Sequence, residues 1–152
     1  MPLFRDERRV RHNAVQMFDL VADVGCYPEF VPLCKALRVR SRKQDADGRE
    51  TLVADMTVGY KLIRETFTSR VSLDKPNLKV RVVYIDGPFS RLENIWTFKD
   101  EAEGEGSRVN FFIDYEFKSR TLGMLMGSMF DAAFRKFAGA FEQRADAIYG
   151  QS

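Results

Sequence analysis

The sequence predicts an α+β fold: a curved antiparallel sheet of about seven strands wrapped around a long C-terminal helix, with two short helices after the first strand. Three observations predict it. From Leu37 to Phe117, apolar residues recur at every second position in one segment after another. From about Thr121 to Tyr149 the period lengthens to that of a helix. Between the first strand and the alternating region lie a capped helical segment and a Pro-containing one.

The elements follow in order. Leu3 to Arg11 reads as a strand, with Phe4 and Val10 as its apolar points. Asn13 can accept from a first-turn N–H, and Ala14, Val15, Met17, Phe18, Val21 and Ala22 follow at helical spacing, with Gly25 as the expected stop. A second short helix is expected around Tyr27 to Cys34, shortened or kinked by Pro32. Six strands then alternate, carried by Leu37/Val39, by Leu52 to Tyr60, by Ile63 to Leu73, by Val80/Val82/Tyr84, by Leu92/Trp96/Phe98 and by Val109 to Phe117. Turns fall at Asp45–Gly48, Lys75–Asn77 and Asp86–Pro88, and an acidic, Gly-rich loop at Asp100–Ser107. Joined by such short turns, these strands pair most simply as an antiparallel meander with one apolar and one polar face. On the last helix, Leu122, Leu125, Met126, Met129, Phe130, Ala133, Phe134, Phe137, Phe141, Ala145 and Ile148 form the apolar stripe.

Composition bounds the function. A chain of 152 residues, 45% hydrophobic and 30% charged, is one domain able to bury a core without a metal or disulfide. With 24 basic and 22 acidic side chains, the charge is too balanced for a DNA-binding protein. Cys26 and Cys34 lack metal-ligand spacing, and with a single histidine they imply reduced thiols in a cytoplasmic protein. No apolar run approaches the ~20 residues needed to span a bilayer, so any membrane contact is expected to be peripheral, at the inner face. His12, between Arg11 and Asn13, reads as a surface residue, and no nucleophile elbow, phosphate loop or metal set is visible. No cofactor and no catalytic residue are therefore expected.

A sheet that twists around a helix leaves a gap along it. The expected walls are Met56, Tyr60, Phe67, Trp96, Phe98, Phe111 and Tyr115 on the sheet, and Met126, Met129, Phe130, Phe134 and Phe137 on the helix. Methionine adapts to irregular shapes, which suits a ligand wall, although such a stripe also serves plain core packing. Glu65 and Asn94 fall on apolar strand faces, where a ligand headgroup or a protein partner would have to satisfy them. Tyr27, Phe30, Val31 and Leu33, stiffened by Pro28 and Pro32, form a lip that either covers the pocket mouth and touches a membrane or packs as a corner. Phe89, after Gly87-Pro88, is expected at an exposed turn tip.

Four motifs carry a family resemblance. Tyr27-Pro28-Glu29-Phe30-Val31-Pro32-Leu33-Cys34, Gly87-Pro88-Phe89 followed by Leu92 and Trp96-Thr97-Phe98, Phe117-Lys118-Ser119-Arg120, and Ala140-Phe141-Glu142-Gln143-Arg144-Ala145 with Tyr149-Gly150 occur in order along almost the whole chain. Together they resemble the coenzyme-Q-binding protein family. The resemblance implies the START-like helix-grip fold, also called polyketide-cyclase-like. It also implies ubiquinone or a related polyprenyl quinone as ligand and a carrier role supporting respiration. Bacterial members of that family are similar to a ribosome-association toxin acting on the large ribosomal subunit, which is the alternative reading; a cyclase-like enzyme is the second. For the ribosome reading, Arg38, Arg40, Arg42 and Lys43 on one strand and Arg5, Arg8, Arg9 and Arg11 on another are expected to merge into one basic patch.

Overall fold

The computed structural model describes residues 3–45, 47–102 and 104–150. Strand β1 (Leu3–Val10) leads into helix α1 (Ala14–Ala22) and a short 3₁₀ helix (Val24–Glu29). Strands β2 (Cys34–Gln44), β3 (Arg49–Tyr60), β4 (Ile63–Asp74), β5 (Lys79–Asp86), β6 (Phe89–Asp100) and β7 (Ser107–Phe117) follow, and helix α2 (Arg120–Tyr149) completes the chain. The expected turn at residue 46 and loop at residue 103 include positions outside the described residues.

Both α-helices start where a side chain can satisfy free N–H groups. Asn13 accepts from the Gln16 amide at 2.8 Å, and the Gln16 side chain accepts from the Asn13 amide at 3.1 Å, a reciprocal box that sets the start of α1. The Ser119 hydroxyl accepts from the Leu122 amide at 3.1 Å and starts α2, as the junction motif suggested. The second helix differs from its expected place. α1 ends at Asp23, and Gly25 lies inside the 3₁₀ helix that follows. Tyr27 accepts at its carbonyl from Phe30 and Val31, and Leu33 then turns the chain with φ 66°. Pro28 and Pro32 have no N–H to extend this turn, so no second α-helix forms, and residues 27–33 make a strap that begins in the 3₁₀ helix.

The sheet is a seven-stranded antiparallel meander in the order β1-β7-β6-β5-β4-β3-β2. Its inner face is apolar: on β7, Val109, Phe111, Ile113 and Tyr115 are all buried, and the residues between them are half-buried. The outer face is laced with cross-strand pairs such as Arg81–Glu93 at 2.6 Å and Arg91–Asp114 at 3.2 Å. α2 lays Met126, Phe130, Ala133, Phe134, Phe141 and Ala145 on the inner face. Leu125 and Ile148, expected in the same stripe, are more than half exposed, because the apolar arc is narrower than the sequence pattern.

Three other expectations are corrected. His12 is 6% exposed, not a surface residue; its Nε2 lies 2.7 Å from Asp146 Oδ1, brought to it by the far end of α2. Phe89 is fully buried. A bulge between Phe89 and Arg91 re-aims it into a cluster with Phe67 (ring centroids 5.4 Å apart) and Phe117 (4.9 Å). The two arginine-rich strands do not merge. β1 and β2 are opposite ends of the sheet, and Arg8, Arg9, Arg40 and Arg42 are each paired with a carboxylate.

Candidate functional site, an apolar hollow under the long helix

α2 approaches the sheet unevenly. Its backbone comes closest to β7, β1 and α1, so the middle strands curve away beneath it. Small side chains widen the gap. Ala54 on β3 and Ser69 on β4 are direct cross-strand partners, and Ala133 lies above on α2. Larger residues flank them on the same strands: Leu52 and Met56 on β3, Phe67 and Val71 on β4. What remains is a hollow of about 80 Å³, walled by residues from the strap, β2 to β7 and α2.

Of the expected wall, Met56, Phe67 and Trp96 on the sheet and Phe130, Phe134 and Phe137 on α2 line the hollow. Tyr27 and Leu33 line it from the strap, and Asn94 from β6. The other expected residues lie elsewhere. Phe111 and Tyr115 sit where α2 touches β7, with ring centroids 5.9 Å from Phe137 and 5.0 Å from Phe134, so they fill the contact instead of bordering the gap. Phe98 packs between Trp96 and Phe18 of α1. Met126 is fully buried in the core and Met129 is half-buried against it. Tyr60 is 42% exposed, because β3 runs past the packed part of the sheet; Lys61 Nζ rests 5.3 Å from its ring centre. Glu65 is half-buried opposite Val58 and does not line the hollow. Phe30 and Val31 belong to the strap but do not line the hollow: Val31 is buried and Phe30 packs on Phe141 at 4.9 Å.

Leu37, Ala54, Val58, Val71, Leu92 and Ile113 also line the hollow without having been singled out. Their signal was the same two-residue alternation that placed their neighbours on the inner face. Val24, Pro32, Val82, Ala133, Phe141 and Ser69 complete the missed set. Ser69 had a readable sign: a small polar residue in register with Phe67 and Val71.

The strap is clamped to α2. Tyr27, Phe30 and Phe141 meet edge to face, with Tyr27 and Phe141 ring centroids 5.3 Å apart. Arg144 donates to Glu29 at 2.6 Å and stacks over Phe30 at 5.1 Å. The Leu33 carbonyl accepts from Gly59 at 2.9 Å, which joins the strap to the end of β3. There the β3–β4 hairpin exposes Tyr60 and, completely, Leu62.

Few polar groups reach the hollow. Asn94 donates to the Phe112 carbonyl at 2.8 Å and accepts from Trp96 Nε1 at 3.1 Å, so the protein itself satisfies it. Tyr27 is the one titratable group of the lining; it donates to the Val21 carbonyl at 2.5 Å, and burial pushes its hydroxyl far above the usual tyrosine range. This wall can hold and shape an apolar molecule and exclude water. It offers no group that exchanges a proton near neutral pH.

Residues 10–142 match the model of a family described as polyketide cyclase / dehydrase and lipid transport. The chain is 30% identical to the ribosome association toxin RatA of Rickettsia prowazekii, over 95% of this chain and 97% of that one. It is 34% identical to coenzyme Q-binding protein COQ10 homolog B, mitochondrial, of Xenopus laevis, covering 90% of this chain but 54% of that protein. The solution structure of the 18 kDa protein CC1736 from Caulobacter crescentus superposes with a TM-score of 0.79 at 34% identity, covering 99% of this chain and 100% of that one.

Proposed function

Because the chain belongs to the polyketide cyclase / dehydrase and lipid transport family, we propose that it binds an apolar lipid between sheet and α2, with ubiquinone or a related polyprenyl quinone as the ligand class. It acts as a carrier or chaperone of that lipid in support of respiration. One observation carries the reading: an almost wholly apolar hollow at the centre of the sheet, where a domain of this size ordinarily packs solid. Burial of prenyl carbons, at about 25 cal/mol per Å², supplies the affinity.

The size of the hollow adds a condition. At about 80 Å³ it is smaller than the roughly 150 Å³ dry cavity that admits a benzene ring. On this reading the small hollow is a closed form of the site, and a ring enters when the strap or α2 moves outward. The exposed Tyr60 and Leu62, beside the strap, suit uptake from a lipid surface in peripheral contact. Among the described residues no helix is long and apolar enough to cross a membrane.

Mass spectrometry of organic extracts from the purified protein tests the reading. A prenyl quinone is expected from the wild type and none from Ala133→Leu, whose added carbons fill the hollow. Equal recovery from both would place the lipid elsewhere.

A second reading is favoured by the near full-length match to RatA on both chains: association with the large ribosomal subunit. Salt-sensitive co-sedimentation with large subunits would support it, and under the carrier reading none is expected.

A further inference from the structure

The hollow contains one polar atom that the protein leaves unserved. Ser69 is 4% exposed, its hydroxyl oxygen is fully buried, and it has no hydrogen-bond partner. It lies on the inner face of β4, opposite Ala54 and beside the open space that Ala54 and Ala133 create. Its polar neighbour differs: both the oxygen and the nitrogen of Asn94 are engaged. Burying a hydroxyl without a partner costs stability, and alanine in the same place would avoid that cost. An orphan of this kind, on a residue of a cavity wall, points to a group that arrives from outside.

We propose that the Ser69 hydroxyl is the polar contact for a neutral oxygen on the bound lipid, and so selects an oxygen-bearing apolar molecule over a plain hydrocarbon. The inference rests on the carrier reading and specifies its site. The ligand oxygen must be uncharged. No cationic side chain lines the hollow, so a carboxylate or phosphate placed there would be a buried, unpaired charge. A carbonyl accepts from the Ser69 hydroxyl; a ligand hydroxyl can also donate to it. A quinone carbonyl meets the requirement, whereas a fatty-acid carboxylate does not.

Trp96, the single tryptophan of the chain, lines the same hollow and reports occupancy by its fluorescence. Delipidated wild type and Ser69→Ala are titrated with decylubiquinone, with decylbenzene and with decanoate at neutral pH. The thermal midpoint of each delipidated protein is also measured. The expected result has four parts. Ser69→Ala weakens decylubiquinone binding about five- to tenfold, the worth of one neutral hydrogen bond. It leaves decylbenzene binding unchanged, and the unliganded variant melts higher than wild type because the orphan is gone. Decanoate binds neither protein through the hollow. Equal losses for quinone and hydrocarbon, or a lower melting point for the variant, would show that Ser69 serves packing or has a protein partner, and would overturn the proposal. Unchanged quinone affinity in Ser69→Ala overturns it while leaving the carrier reading standing. If wild type binds neither decylubiquinone nor decylbenzene, the carrier reading falls first and Ser69 with it.

Discussion

His12 shows what a single residue does when its partner is far away in the chain. Its ring bonds Asp146, and the Ser107 hydroxyl donates to its backbone carbonyl at 2.8 Å, so β1, β7 and α2 are tied at one point. The hydrogen bond from His12 holds the Asp146 carboxyl below the usual aspartate range, with help from the Arg11 charge and against some desolvation. A carboxylate depressed in the folded state adds stability above its unfolded value, near pH 4, and loses it as pH falls through the lower folded value. Asp146→Asn is therefore expected to lower the urea midpoint at pH 5–7 and to approach wild type as the pH falls below 4. Parallel curves across that range would remove the link. Sequence could not show this pair, since the partners lie 134 positions apart and only the docking of α2 brings them together. It did show the caps Asn13 and Ser119, because capping is settled within one helical turn.

At the scale of elements, the strap and the β5–β6 turn control the hollow's border. The Arg144–Glu29 pair is partly exposed and is worth about 0–1 kcal/mol; stacking of Arg144 over Phe30 adds about 0.5–1 kcal/mol. Together they make a weak latch. Arg144→Ala is expected to speed amide hydrogen exchange in residues 27–33 about fivefold while moving the global urea midpoint little. Uniform acceleration across the sheet would mean that Arg144 supports the whole fold instead. Gly87 is a firmer constraint. With φ 143°, a Cβ there would sit 2.6 Å from that of Phe67, a residue of the hollow wall. Gly87→Ala should cost about 1–3 kcal/mol in chemical denaturation, because both the backbone and Phe67 must shift. The motif Gly87-Pro88-Phe89 was legible as a turn. The inward aim of Phe89 was not, since one bulge residue reverses a side chain's face without changing the composition.

For the whole molecule, the element order and the two faces of the sheet were readable because alternation and helical period are local signals. The placement of the hollow was not. It depends on α2 leaning towards β7 and β1, which turns Phe111 and Tyr115 into contact residues and moves the open space over Ala54 and Ser69. This tilt also predicts the effect of filling. Ala133→Leu puts carbon into existing space, so the unliganded protein should melt no lower than wild type. The same change at Ala145, which is fully buried outside the hollow, should overpack and cost about 1–3 kcal/mol. Calorimetry of the two variants compares an open site with a filled one.

The sheet never closes into a barrel, and its borders are β1 and β2. A bare row of amides and carbonyls on such a border invites a second chain to add itself, and with it fibrous or amorphous deposit. On β2, Arg40 and Arg42 stand exposed, and their carboxylate partners Asp55 and Glu50 lie inboard on β3. Their guanidinium groups would have to shed water to let a stranger dock. Exchanging both arginines for valine should raise light scattering on storage at high concentration while leaving the melting point nearly unchanged. On this border the arginine charge works against the protein adding strands to itself.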